Sequence, residues 1–186
     1  MSQAEQTFPG SGTMVQPPQT EQQRILGYLQ GQAASKSIDD LIARVQEGID
    51  ELHVAARALS PARLDTLCPS EESPGETWTP RQCFEHIVGS NMAVARSVLH
   101  VAHSAGIPES ETYEIPREIE PAITKHAEAM ESLYEHVRAA DPTANLQTKW
   151  RHPMFGDLDW REWLLFLRIH AKDHARQLNN MDARAT

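Results

Sequence analysis

From residue 37 onward, apolar side chains recur every three or four positions, the spacing that puts them on one face of an α-helix. The first such stretch runs from Ser37 to about Leu59. Ser37 is its N-cap, Ile38, Leu41, Ile42, Val45, Ile49 and Leu52 form its apolar face, and Ser60-Pro61 ends it. The second opens at Thr79-Pro80-Arg81-Gln82, where Thr79 caps, Pro80 takes the first helical position and Gln82 closes a capping box. It continues to about Ser104 and stops at Gly106. The third spans about Arg117 to Ala140, with Ile119, Ile123, Met130, Leu133, Tyr134 and Val137 inward, and halts at Asp141-Pro142. The fourth starts with a second capping box, Asp159-Trp160-Arg161-Glu162, and runs to about Met181. A shorter helix, capped by Thr20, reaches about Gln30 with Ile25, Leu26 and Leu29 on its apolar side.

Pro69, Pro74 and Gly75 punctuate the loop between the first two long helices, and no alternating strand pattern occurs. Four amphipathic helices joined by loops make an all-α chain, and the economical packing is a four-helix bundle. Residues 1–19 mix Ser, Gln, Gly and Pro without period and read as a flexible N-terminal arm, leaving 20–186 as the bundle domain.

Composition narrows the function. The 186 residues are 40% apolar, enough for one core, and carry 17 Lys+Arg against 26 Asp+Glu, a net charge of −9. That balance argues against nucleic acid, whose phosphates call for clustered basic charge. Met1 to Gly10 lacks the basic start and apolar stretch of a signal peptide, and the longest apolar run, Trp163 to Leu167, is too short to span a bilayer. Cys68 and Cys83 form no C-x-x-C, so the expectation is a reduced, cytoplasmic protein.

Nine histidines are the unusual count. His170 and His174, four apart on the fourth helix, differ by only about 40° around the axis. Trp163, Leu167 and Met181 lie within about 60° of them, so the pair sits on the inward face. Two imidazoles in a core are costly unless their lone pairs are used, and a divalent metal uses them; the alternative is two core-edge histidines with ordinary hydrogen bonds. On the second helix His86 shares its stripe with Gly89, Ser90, Ala93 and Ser97, nearly opposite the bulky side formed by Phe84, Val88, Ala95 and Leu99. It is either exposed or lines a cavity beside the core. His100 and His103 sit near that helix's C-terminus, where imidazolium meets the dipole favourably. His53, His126 and His136 read as helix-surface or boundary residues, and His152 precedes Pro153 in the loop feeding the fourth helix.

These residues carry a resemblance. Trp78-Thr79-Pro80-Arg81-Gln82-Cys83-Phe84-Glu85-His86-Ile87-Val88 resembles the W-[ST]-x-x-x-x-x-x-H-[LI] segment of the DinB/YfiT-like metalloprotein superfamily. His152-Pro153-Met154-Phe155-Gly156-Asp157-Leu158 is similar to its H-P-x-F-G-x-L segment. After Glu162-Trp163, the stretch His170-Ala171-Lys172-Asp173-His174-Ala175-Arg176-Gln177-Leu178 is similar to its H-x-x-x-H-x-x-Q-[LI] segment. Order and separation agree over roughly Ile38 to Met181. The resemblance implies a four-helix bundle, commonly dimeric, with one divalent metal held by three histidines, here His86, His170 and His174. Many relatives carry a further histidine just before the last ligand, where this chain has Asp173.

Three neutral histidines leave a coordination position for water or substrate, so a bound water could ionise near neutral pH or a thiol be held as thiolate. The resembled superfamily includes thiol transferases, a mycothiol-dependent isomerase and many proteins of unassigned activity. The expectation is therefore a divalent-metal-dependent small-molecule enzyme, a hydrolase or thiol S-transferase, with a low-molecular-weight thiol as a candidate substrate. The alternative is a non-catalytic metal-binding stress-response or binding module. Zinc or nickel leads, with iron, cobalt and manganese compatible, because imidazole alone does not choose. A homodimer is implied by the resemblance only. Asp173 and Gln177 fall within about 60° of the ligand face and are candidates to orient a ligand or line the pocket; the alternative for Asp173 is a surface ion pair with Arg176 or Lys172. Glu85 points about 100° from His86 and is not proposed as a base. Cys83, one turn before His86, reads as a buried free thiol near the site, and Trp78, Trp150, Trp160 and Trp163 as the wall of the bundle end.

Overall fold

The structure, a computed structural model, describes residues 19–69, 77–104, 106–109, 111 and 113–184. The expected N-terminal arm lies outside the described residues except for Gln19, which already belongs to the first helix. Helix α1 spans Gln19–Ser35, so Thr20 lies inside it rather than capping it, and the helix runs five residues beyond Gln30. The extension follows from Ala33, which continues the stripe of Leu26 and Leu29 and is buried.

Helix α2 covers Ile38–Ala58, with the Ser37 hydroxyl accepting from the Asp40 amide at 3.1 Å. A pair of two-residue strands, β1 (Cys68–Pro69) and β2 (Thr77–Trp78), leads into α3, Pro80–His103. Helix α4 is Ile119–Ala139. A second hairpin, β3 (Trp150–His152) and β4 (Gly156–Leu158), then delivers the chain to α5, Trp160–Arg184. The absence of strands expected from the sequence is thus corrected: two antiparallel hairpins exist, in registers Cys68↔Trp78 and Trp150↔Leu158. With two or three residues per strand they are too short for an alternating pattern to register.

The four long helices close a ring in which α5 packs on α2 and α3, and α4 packs on those same two from the other side; α1 lies against α5. Their inner stripes supply the core: Leu41, Val45 and Ile49 from α2, Phe84, Ile87 and Val98 from α3, Met130, Leu133 and Val137 from α4, Leu164, Leu167 and Leu178 from α5. Trp160 is fully buried, and its indole N–H donates to the Ala144 carbonyl at 2.8 Å, which fixes the start of α5. At Gly48, α2 approaches α5 so closely that a Cβ would stand 2.9 Å from the Arg168 carbonyl oxygen. Among the described residues no helix is long and apolar enough to cross a membrane.

Candidate metal centre

Both helices that carry the resembled histidines begin at capping boxes, so their first turns are fixed. At α3 the Gln82 amide donates to Thr79 Oγ1 at 3.1 Å, and the Thr79 amide to Gln82 Oε1 at 2.9 Å. At α5 the Glu162 amide donates to Asp159 Oδ1 at 3.0 Å, and the Asp159 amide to Glu162 Oε2 at 2.9 Å. From these starts, His86 lies on the second turn of α3, and His170 and His174 follow on consecutive turns of α5.

The three rings meet. One ring nitrogen from each of His86, His170 and His174 can be chosen so that all lie within 4.8 Å of one another. His174 is buried while His86 and His170 keep partial exposure, so the cluster sits at the edge of the core and still reaches solvent. This decides between the two readings of His86: it lines a shared site, with its ring edge-on to Trp78 at 5.1 Å. Phe166 stacks on His170 at 5.2 Å and shields that side.

The hydrogen bonds of His170 turn its lone pair towards the cluster. His170 Nδ1 lies 3.3 Å from Asn91 Oδ1, and an amide oxygen only accepts, so that nitrogen carries the hydrogen and Nε2 the lone pair. His170 Nε2 in turn faces His174 Nε2 at 3.1 Å. Two nitrogens at 2.0–2.1 Å from a tetrahedral zinc stand about 3.3 Å apart, so the spacing of the pair fits a shared ion. Behind His174, its Nδ1 is 3.5 Å from Cys83 Sγ, which also lies 3.6 Å from Gln177 Oε1. Burial lowers the pKa of all three histidines; at His170, pushed well below its ordinary value, the neighbouring His174, His86 and His152 add to the effect. All three are therefore neutral at neutral pH, the form that ligates a metal.

The remaining expectations sort themselves. Asp173 forms the surface ion pair, its carboxylate accepting from Arg176 at 2.6 Å, and touches the cluster only through its charge, which favours protonated His174. Gln177 meets the cluster directly, its side chain hydrogen-bonded to His174, and its Oε1 also lies 3.6 Å from Cys83 Sγ. Cys83 is a buried free thiol, as expected, and sits behind the His174 ring rather than within the trio. Trp163 stacks on Trp150 with ring centres 5.3 Å apart and donates to its carbonyl, forming part of the expected aromatic wall. His152 is buried in that wall; its Nδ1 accepts from the Met154 and Phe155 amides, and burial pushes its pKa down to about 4.

Two histidine assignments are corrected. His53 and His126 are core residues, not surface or boundary ones: His126 is 0% exposed and His53 only 7%. His126 falls on the α4 stripe between Ile123 and Met130, and His53 on the α2 stripe beside Leu52, so periodicity alone would have placed both inside. Asn91, fully buried and bonded to His170, is a site residue the sequence reading lacks: it occupies the buried α3 stripe between Ile87 and Val98 but is not apolar.

A ring of four helices gathering three neutral imidazoles at its edge defines a helical-bundle protein equipped to bind a metal ion. Residues 69–178 match the family model of the DinB superfamily, and the chain belongs to that superfamily. Its fold is similar to that of TT2238, described as a four-helix bundle protein, at a TM-score of 0.51 and 24% identity over 77% of this chain and 99% of that one. No curated protein matches significantly.

Proposed function

We propose that the chain is a divalent-metal-dependent enzyme acting on a small molecule, of the hydrolase or thiol S-transferase type, with His86, His170 and His174 as the metal ligands. The observation that carries this reading is the convergence of three neutral ring nitrogens within 4.8 Å at a partly exposed edge of the core. Three protein ligands are what catalytic sites with an exchangeable position use, whereas closed structural sites use four. Among the described residues no fourth histidine, cysteine or carboxylate joins the cluster.

A divalent ion held there would supply Lewis acidity, lowering the pKa of a water or thiol that binds to it. The chain's own residues provide the setting. Asn91 holds the His170 proton on Nδ1, Cys83 and Gln177 back His174, and Trp78 and Phe166 crowd water away from the ring faces. Zinc or nickel is the leading candidate, with iron, cobalt and manganese compatible with the same imidazole donors.

The test is consumption of low-molecular-weight thiols such as bacillithiol, mycothiol and glutathione against electrophiles, beside ester and amide hydrolysis, with untagged protein before and after chelation. Turnover that chelation abolishes, zinc or nickel restores and His170→Ala lacks supports the enzyme. Tight stoichiometric metal binding without turnover of any probe would favour a binding module instead.

A further inference from the structure

The contact between His170 and Asn91 does not end at Asn91. The other side of that amide, Nδ2, lies 3.3 Å from His126 Nε2, and His126 Nδ1 lies 3.0 Å from His53 Nε2. One unbroken line of polar side chains thus crosses the bundle from α5 through α3 and α4 to α2. Its inner members, Asn91 and His126, are each 0% exposed, and His53 is 7% exposed. Burying three polar side chains amid Leu, Ile and Met costs stability that apolar residues of similar volume would not, so packing alone does not account for them.

The line has a direction. An amide NH2 only donates, so Nδ2 of Asn91 requires a lone pair on His126 Nε2; the His126 proton is then on Nδ1, aimed at His53 Nε2. Every donor points the same way, from His170 towards His53. Reversing any one link sets donor against donor at the next. We propose that Asn91, His126 and His53 are positioning residues of the histidine cluster: a buried relay that fixes the His170 proton on Nδ1 and thereby turns its Nε2 lone pair towards His174. The consequence for metal affinity rests on the three-histidine reading given above; the proton assignment does not.

That separation makes the test clean. Long-range nitrogen–proton correlation spectra of the 15N-labelled, metal-free full chain report which ring nitrogen of each histidine is protonated. His170, His126 and His53 are expected as Nδ1–H forms. His126→Phe removes the acceptor for Asn91, so His170 shifts to a mixture of forms and zinc affinity falls 10- to 100-fold. His126→Gln, whose amide oxygen can accept from Asn91, keeps most of both. Should His126→Phe not fold, His53→Phe cuts the line one link further out and is expected to act in the same direction. Wild-type His170 or His126 carrying its proton on Nε2 would overturn the relay, as would a folded His126→Phe or His53→Phe chain with unchanged His170 form and unchanged zinc affinity. Nδ1–H forms throughout, shifted by the variants, in a wild-type chain that binds no zinc would uphold the relay and remove the metal function.

Discussion

Nε2 of His170 and Nε2 of His174 face each other at 3.1 Å across one turn of α5. Two lone pairs cannot occupy that gap without something positive between them. In the metal-free chain a proton on His174 Nε2 serves, since the Cys83 thiol can donate to the opposite nitrogen of that ring. When the thiol donates to Gln177 Oε1 instead, His174 can carry its hydrogen on Nδ1 and offer Nε2. The ring can exchange one role for the other without gaining or losing charge, which suits a site meant to accept a cation.

Metal content should follow the three rings. Untagged wild-type protein is expected to carry close to one equivalent of a divalent metal, and His170→Ala or His174→Ala almost none, as read by elemental analysis. Adding zinc at a hundred times its dissociation constant to the stripped wild type should stabilise it by about 2.7 kcal/mol, visible as a raised melting temperature. Neither variant should respond. Equal metal in wild type and His174→Ala would place the ion elsewhere.

Cys83 gives a sharper test of ligand identity. Its sulfur lies behind His174 rather than within the trio, so cobalt-substituted wild type should show a spectrum free of thiolate-to-cobalt charge transfer. Cys83→Ala should still bind one cobalt with that spectrum essentially preserved, and with affinity reduced by no more than the 10- to 100-fold typical of residues that orient a ligand. An intense thiolate band that Cys83→Ala abolishes would make the cysteine a ligand.

How far the sequence reached can be judged from these same residues. The helices were legible because their ends are written locally: Ser37, Thr79 with Gln82, and Asp159 with Glu162 all form the caps their spacing announced. His170 and His174 were legible for the same reason, since a four-residue interval on one helix is a statement about one face. His86 was legible only through the family resemblance, because whether its stripe of small residues meets solvent or a neighbouring helix depends on how α3 and α5 pack. Asn91, His126 and His53 were not legible because they are polar residues on otherwise apolar buried stripes, and only their partners across the core let them face inward. The two hairpins fell below the length at which alternation carries information.

Acid should unfold the chain through its buried histidines. Burial pushes the His126 pKa down to about 3, while in the unfolded chain it titrates near 6.5. Between those values the unfolded state holds a proton that the native state refuses. His126 therefore contributes its full stability above pH 6.5, and that contribution falls away as pH drops towards 3, by up to about 1.4 kcal/mol per pH unit. His53 and His152 are lowered by burial in the same sense. Urea midpoints of chelated protein at pH 7.5, 6, 5 and 4 should decline steadily, and less steeply for His126→Gln. A midpoint that held constant from pH 6 to 4 would contradict the burial of these rings.

Gly48 should link bundle packing to the site. Within a helix, Gly→Ala ordinarily gains about 1 kcal/mol, because alanine has less backbone freedom to lose. At Gly31 in α1, where an added Cβ meets nothing within 4 Å, that gain is expected. At Gly48 the same methyl would stand 2.9 Å from the Arg168 carbonyl oxygen, closer than real Cβ atoms come to backbone, and a tight 3.1 Å from its Cα. Backbone cannot swing aside as a side-chain tip can, so α5 must shift as a body, at a cost of about 1–3 kcal/mol. Arg168 lies two residues before His170, so the shift moves two of the three histidines relative to His86 on α3. Gly48→Ala should therefore lower both the urea midpoint and the zinc affinity, while Gly31→Ala raises the first and leaves the second alone. If Gly48→Ala proved as stable as wild type, α2 and α5 would have to lie farther apart than this packing requires.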